Sequence, residues 1–154
     1  MLVAHAGYPA GLEALRELHQ AWPGRARATR EGGLDAWRRR GARLCARVYG
    51  PVTPRLLAGL DALHPDVRVW VVEEGYGRIL SRPGLAAVDR ERIAVAVLAA
   101  TGWERQLVSH ARGAKRMAAS PASIRRALAI GLRGAPAERR RAAARAWRTA
   151  FGRG

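Results

Sequence analysis

His110 is the residue whose type and setting most invite chemistry. It shares a stripe with Leu107, Ala111, Ala114 and Ala118, spaced as one face of a helix. An imidazole changes charge near neutral pH and can give or take a proton. A lone histidine on an apolar face can equally be a hydrogen-bonded core residue, and the spacing leaves both readings open. Glu91 is the partner to consider. Gly102 separates two helical stretches, with Glu91 eleven residues before it and His110 eight after it. If these fold back as an antiparallel hairpin, the two side chains can meet. A carboxylate beside an imidazole would hold its tautomer and raise its pKa. Glu91 also has a plainer reading, because an acid in the first turn of a helix is favoured by the helix dipole.

Tyr76, Arg78 and Arg82 cluster in a segment from Gly75 to Leu85 that glycine and proline punctuate. The segment reads as an irregular connection, where polar residues carry function or simply meet solvent. Arginine suits a carboxylate ligand. His5, His19 and His64 lack metal-ligand spacing with acids, so no metal is expected. Cys45 lies on an apolar stripe and reads as a small core residue. A single cysteine excludes an internal disulfide, a CxxC redox pair and a cysteine-rich zinc site. No glycine-rich phosphate loop, nucleophile elbow or dinucleotide fingerprint occurs.

The elements that must position these residues are helical almost throughout. Leu12, Leu15, Leu18 and Trp22 form a short stripe ended by Pro23-Gly24, and residues 24–33 read as a linker. Leu34, Trp37, Leu44, Cys45 and Val48 share one helix face, stopped by Gly50-Pro51. Thr53 is expected to cap the next helix, and His64-Pro65 to divide it from another through Val67, Trp70 and Val71. Asp89 is expected to cap a central helix, apolar nearly all round from Ile93 to Ala100, that stops at Gly102. The His110 helix follows, then one capped by Ser120-Pro121 and one opened by Pro136. No strand-pairing pattern or repeat is seen. The fold class is therefore all-α.

One hundred and fifty-four residues, 49% of them hydrophobic, suffice for one domain with a real core. No apolar run is long enough to span a bilayer, which takes about 20 residues. The start of the chain does not read as a secretory signal, and the cytoplasm is the expected compartment. The net charge is +16, and 27 of the 28 basic residues are arginine. Residues 103–154 alone carry thirteen basic residues against two acids. Such a surface attracts phosphate polymers and acidic molecules without specificity. It also fits solvated helix faces in an arginine-biased composition.

Two stretches together resemble the carboxymuconolactone decarboxylase family. The first is Gly75-Tyr76-Gly77-Arg78-Ile79-Leu80-Ser81-Arg82-Pro83-Gly84-Leu85, followed by Asp89-Arg90-Glu91-Arg92 and the apolar helix. The second runs from Leu107-x-x-His110-x-x-x-Ala114 to Ala119-Ser120-Pro121-x-x-Ile124-Arg125-x-Ala127-Leu128. The resemblance covers about residues 40–152. It implies an alkylhydroperoxidase D-like all-α bundle round a central helical hairpin at residues 34–154, preceded by a helical extension and linker at 1–33. It also implies a homo-oligomer, trimeric or hexameric. One branch of the family does disulfide chemistry with a CxxC pair; here Trp103 and Gln106 stand at those positions, so thiol peroxidase activity is not expected. The other branch decarboxylates a small anionic lactone without metal or organic cofactor. That likeness makes His110 and Glu91 the expected catalytic pair. It makes Arg82, Arg78, Tyr76 and Trp103 the expected substrate contacts. This chain departs from the pattern at Tyr76, at Ala118, where the family has glycine, and at Ala122-Ser123, where it has paired glutamates. A non-catalytic basic oligomer that binds nucleic acid or an acidic partner is the other expectation.

Overall fold

The computed structural model describes residues 2–24 and 32–152, so most of the expected linker lies outside the described residues. The described residues form helices and turns, with no strand among them. In chain order they are α1 (Leu2–Ala21), α2 (Leu34–Tyr49), α3 (Thr53–Leu63) and α4 (Pro65–Val69). After a π-helical segment (Trp70–Leu80) come α5 (Ala87–Thr101), α6 (Glu104–Arg116), α7 (Pro121–Gly131) and α8 (Ala137–Phe151). Gly102 ends α5 in the left-handed conformation, at φ 82°. Glycine takes that conformation without a Cβ penalty, so the chain turns at once and α6 packs back along α5.

The core has two parts. Ala94, Val95, Leu98 and Ala99 of α5 meet Leu107, Ala111 and Ala114 of α6, Ile124 and Ala127 of α7, and Ala143 and Ala146 of α8. Alanine dominates here, and small side chains let the helices lie close. Gly131 goes further, since a Cβ there would strike the backbone of Ala96. The second part joins Leu44, Cys45 and Val48 of α2 to Tyr76 and Leu80. Here α2 crosses the π-helical segment through two glycines. A Cβ on Gly41 would collide with the Val72 carbonyl, and one on Gly77 with the Trp37 carbonyl.

Several boundaries differ from expectation. The Gly75–Leu85 segment is not irregular throughout, because helix continues to Leu80 and only residues 81–86 turn. The continuation is π-type, a form that sequence periodicity does not signal. Helix α5 starts from Ala86 rather than Asp89, which sits in the first turn and pairs with Arg92. Glu91 therefore lies past the first turn, where the dipole reading loses force. Thr53 is the first residue of α3 rather than its cap, and its hydroxyl donates to the Gly50 carbonyl at 2.6 Å. Ser120 caps α7 as expected, accepting from the Ser123 amide.

Helix α1 kinks at Gly7, at φ 80° and ψ 172°. It packs against α5, whereas Leu12, Leu15, Leu18 and Trp22 all stand exposed. Trp70 and Trp103 are exposed as well. Among the described residues no helix is long and apolar enough to cross a membrane.

Candidate functional site

The α5–α6 hairpin brings Glu91 and His110 together. His110 Nδ1 lies 3.0 Å from Glu91 Oε2, and the two residues are only 5% and 3% exposed. A neutral His110 that donates from Nδ1 to the carboxylate keeps Nε2 as its proton-accepting atom. The carboxylate has room because of Gly113, one turn beyond His110. A Cβ at Gly113 would lie 2.6 Å from Glu91 Oε2 and 2.7 Å from Val48 Cγ1 of α2. Three helices thus close round one carboxylate.

Two phenols lie nearby. The Tyr76 hydroxyl donates to that of Tyr49 at 3.2 Å, with the rings edge to face. Burial pushes both phenols above the ordinary tyrosine range, and the negative Glu91 adds to this. Burial likewise raises the Cys45 thiol to about 11, so it stays protonated and unreactive at neutral pH.

His5 completes the cluster. Its ring meets that of His110 edge-on, with centroids 4.9 Å apart and planes at 82°. Burial, and then the neighbouring His110, lower its pKa to about 3, so His5 is neutral at physiological pH. Its Nε2 is buried without a hydrogen-bond partner. An orphaned polar atom is uncommon inside a protein and marks a place where a ligand or water can bind. Neither His5 nor Tyr49 was expected from sequence as a site residue. His5 is 105 positions from His110, and no spacing rule connects them. Tyr49 had one signal, its place four residues after Cys45 on the apolar face of α2.

The other expected residues are dispersed. Tyr76 is 4% exposed, within the core. The Arg78 guanidinium pairs with Glu74 at 3.0 Å and lies over the Trp37 ring. Trp103 precedes α6, two turns before His110, and is 58% exposed. Arg82 lines an open basin of about 330 Å³ with Arg40, Arg43, Arg47 and Arg90. A second cavity, of about 610 Å³, lies between α7 and α8. Neither cavity is lined by His110 or Glu91. Among the described residues no cluster of three or more His, Cys, Asp or Glu side chains could hold a metal ion.

Residues 65–149 match the family model for the carboxymuconolactone decarboxylase family. The chain belongs to the carboxymuconolactone decarboxylase family. No curated protein matches it. The match takes in Glu91, His110, Tyr76, Arg78, Arg82 and Trp103. His5, Tyr49 and the α2 arginines precede the matched residues.

Proposed function

We propose that this chain carries out cofactor-free proton chemistry, decarboxylation in the first instance, on a small anionic lactone or related acid. The observation that carries the reading is the buried contact between His110 Nδ1 and Glu91 Oε2. Ionisable pairs are costly to bury, and an apolar pair would have filled this space more cheaply. In the proposed step the bond to the departing carboxylate breaks and carbon dioxide leaves. Its electron pair enters the conjugated carbonyl; His110, having first taken a proton from solvent at Nε2, delivers that proton to carbon and returns to the neutral form. Glu91 holds the ring and its tautomer. Arg82 binds the carboxylate that stays. The first residues of α1 cover the pair through His5, so substrate entry displaces them. The protein works as a homo-oligomer, and thiol peroxidase activity is absent.

The test is decarboxylation of 4-carboxymuconolactone by the pure protein. Substrate absorbance should fall with wild type. His110→Ala and Glu91→Gln should each lose about a hundredfold or more, the usual contribution of a positioned proton carrier. Equal rates in the wild type and His110→Ala would overturn the assignment. The second reading, a basic binding module, is favoured by one observation: His110 lines neither cavity. It predicts no turnover together with binding to nucleic acid that salt weakens steeply.

A further inference from the structure

Two apolar surfaces of this chain are complementary in shape and in charge. The first is the stripe of α1. Leu12, Leu15 and Leu18 follow one another at helical spacing, and each is more than half exposed. A helix of this length is marginal in water unless its apolar face is buried. The second surface is the cavity of about 610 Å³ between α7 and α8. Helix α7 packs chiefly on α5 and α8 chiefly on α6, so the two stand apart and leave a groove over the hairpin. Leu128, Leu132, Ala143, Ala144 and Trp147 give the groove its apolar lining.

The dimensions and the charges agree. Leu12 to Leu18 span about 9 Å along a helix axis, and Arg140 to Arg148, which line the groove along α8, span about 12 Å. Arg125, Arg140 and Arg148 border the groove, and no acidic side chain lines it among the described residues. The Arg125 guanidinium lies over the Trp147 ring, 4.7 Å from its centre, and Arg140 donates to the Ala135 carbonyl at 2.9 Å. Neither contact supplies negative charge. Between residues 2 and 24, by contrast, the acids Glu13 and Glu17 stand against one base, Arg16, in a chain of net charge +16. Helix α1 therefore brings apolar side chains and a net negative charge to a groove rimmed with positive charge.

We propose that the α1 stripe of one copy seats in the α7–α8 groove of a second copy. The contact rests on the homo-oligomer proposed above and names the surfaces that build it, but it does not depend on the proton chemistry. Stripe and groove are different patches, so the contact is head-to-tail. Each copy gives one helix and receives one, and a closed ring satisfies every copy.

The experiment combines sedimentation velocity with cross-linking of the full chain at about 150 mM salt, where exposed charges are largely screened. Wild type should associate as its concentration rises. Ala144→Arg puts bulk and charge into the groove from an exposed position, so it should keep the wild-type melting temperature and weaken association by about tenfold or more. Leu15→Cys and Ala144→Cys are then made in separate chains, mixed, and treated with a short bismaleimide. Cys45 is buried with its thiol raised to about 11, which keeps it out of the reaction. The mixture should give a cross-linked pair holding one chain of each kind, and neither variant alone should cross-link. A monomer at every concentration would overturn both this contact and the homo-oligomer. An assembly that tolerates Ala144→Arg and yields no mixed pair would overturn this contact alone. So would Leu15→Cys cross-linking to itself, which places stripe against stripe. A chain carrying both cysteines that closes only within itself would overturn it too, by placing α1 in its own groove.

Discussion

Glu91 is held by His110 and lies against the bare backbone of Gly113, a point that Val48 of α2 also approaches. Beside that pair, His5 makes the site sensitive to acid. In the folded protein its pKa is about 3, against the ordinary 6.5. Below pH 6.5 the unfolded segment binds the proton and the folded one does not. Stability from this residue is complete above pH 6.5 and falls as pH drops toward 3, by about 1.4 kcal/mol per pH unit. The groups that meet the His5 ring include His110, whose own protonation would add repulsion rather than relief. Hydrogen-exchange protection in residues 2–11 should therefore decrease between pH 6.5 and 5, and His5→Phe should remove most of that loss. A pH-independent protection factor would show that this imidazole is not buried in solution. The His110–Glu91 contact was legible in sequence because both residues are measured from one glycine turn. His5 was not, because its approach depends on the Gly7 kink and on tertiary packing.

At the scale of helices, two small residues set the geometry. Gly113→Ala would place a methyl carbon against Glu91 and Val48, and neither can move far in a packed interior. Overpacking of this kind costs roughly 1–3 kcal/mol. Thermal melts should record that loss, with a fall in any activity that needs Glu91 in place. A melting temperature equal to wild type would show that α2 yields easily there. Ala118 is the reverse case. It follows α6 at φ 68°, the one described non-glycine residue with positive φ. The chain makes this left-handed turn without the glycine that would make it easy. Ala118→Gly should therefore gain about 0.5–1 kcal/mol, the left-handed strain less the extra freedom of unfolded glycine. A loss of stability would mean that the alanine methyl packs usefully. Sequence signals found the helices that have distinct terminators, such as Gly102, Ser120 and Pro136. They failed where α4 runs into π-helix, because the i→i+5 pattern has no compositional mark and Gly75-Tyr76-Gly77 looks like a turn.

For the molecule as a whole, the unpartnered stripe of α1 is the main unbalanced feature. Leu12, Leu15, Leu18 and Trp22 are each more than half exposed. If the chain self-associates as its family suggests, this stripe is where apolar surface is available for burial. Replacing the three leucines with glutamine should reduce the assembly size in sedimentation velocity. An unchanged size would place the interface elsewhere. The positive charge acts in the opposite direction, since chains of +16 repel at low salt.

The exposure of Trp22, Trp70 and Trp103 has a practical consequence for anyone following this protein by light. Indoles already in contact with water emit at long wavelength, and unfolding changes their surroundings little. Trp37 and Trp147, each only partly buried and each facing an arginine, are the remaining indole reporters. Loss of the core will be seen more clearly in the near-ultraviolet dichroism of the packed Tyr49–Tyr76 pair than in the tryptophan emission maximum.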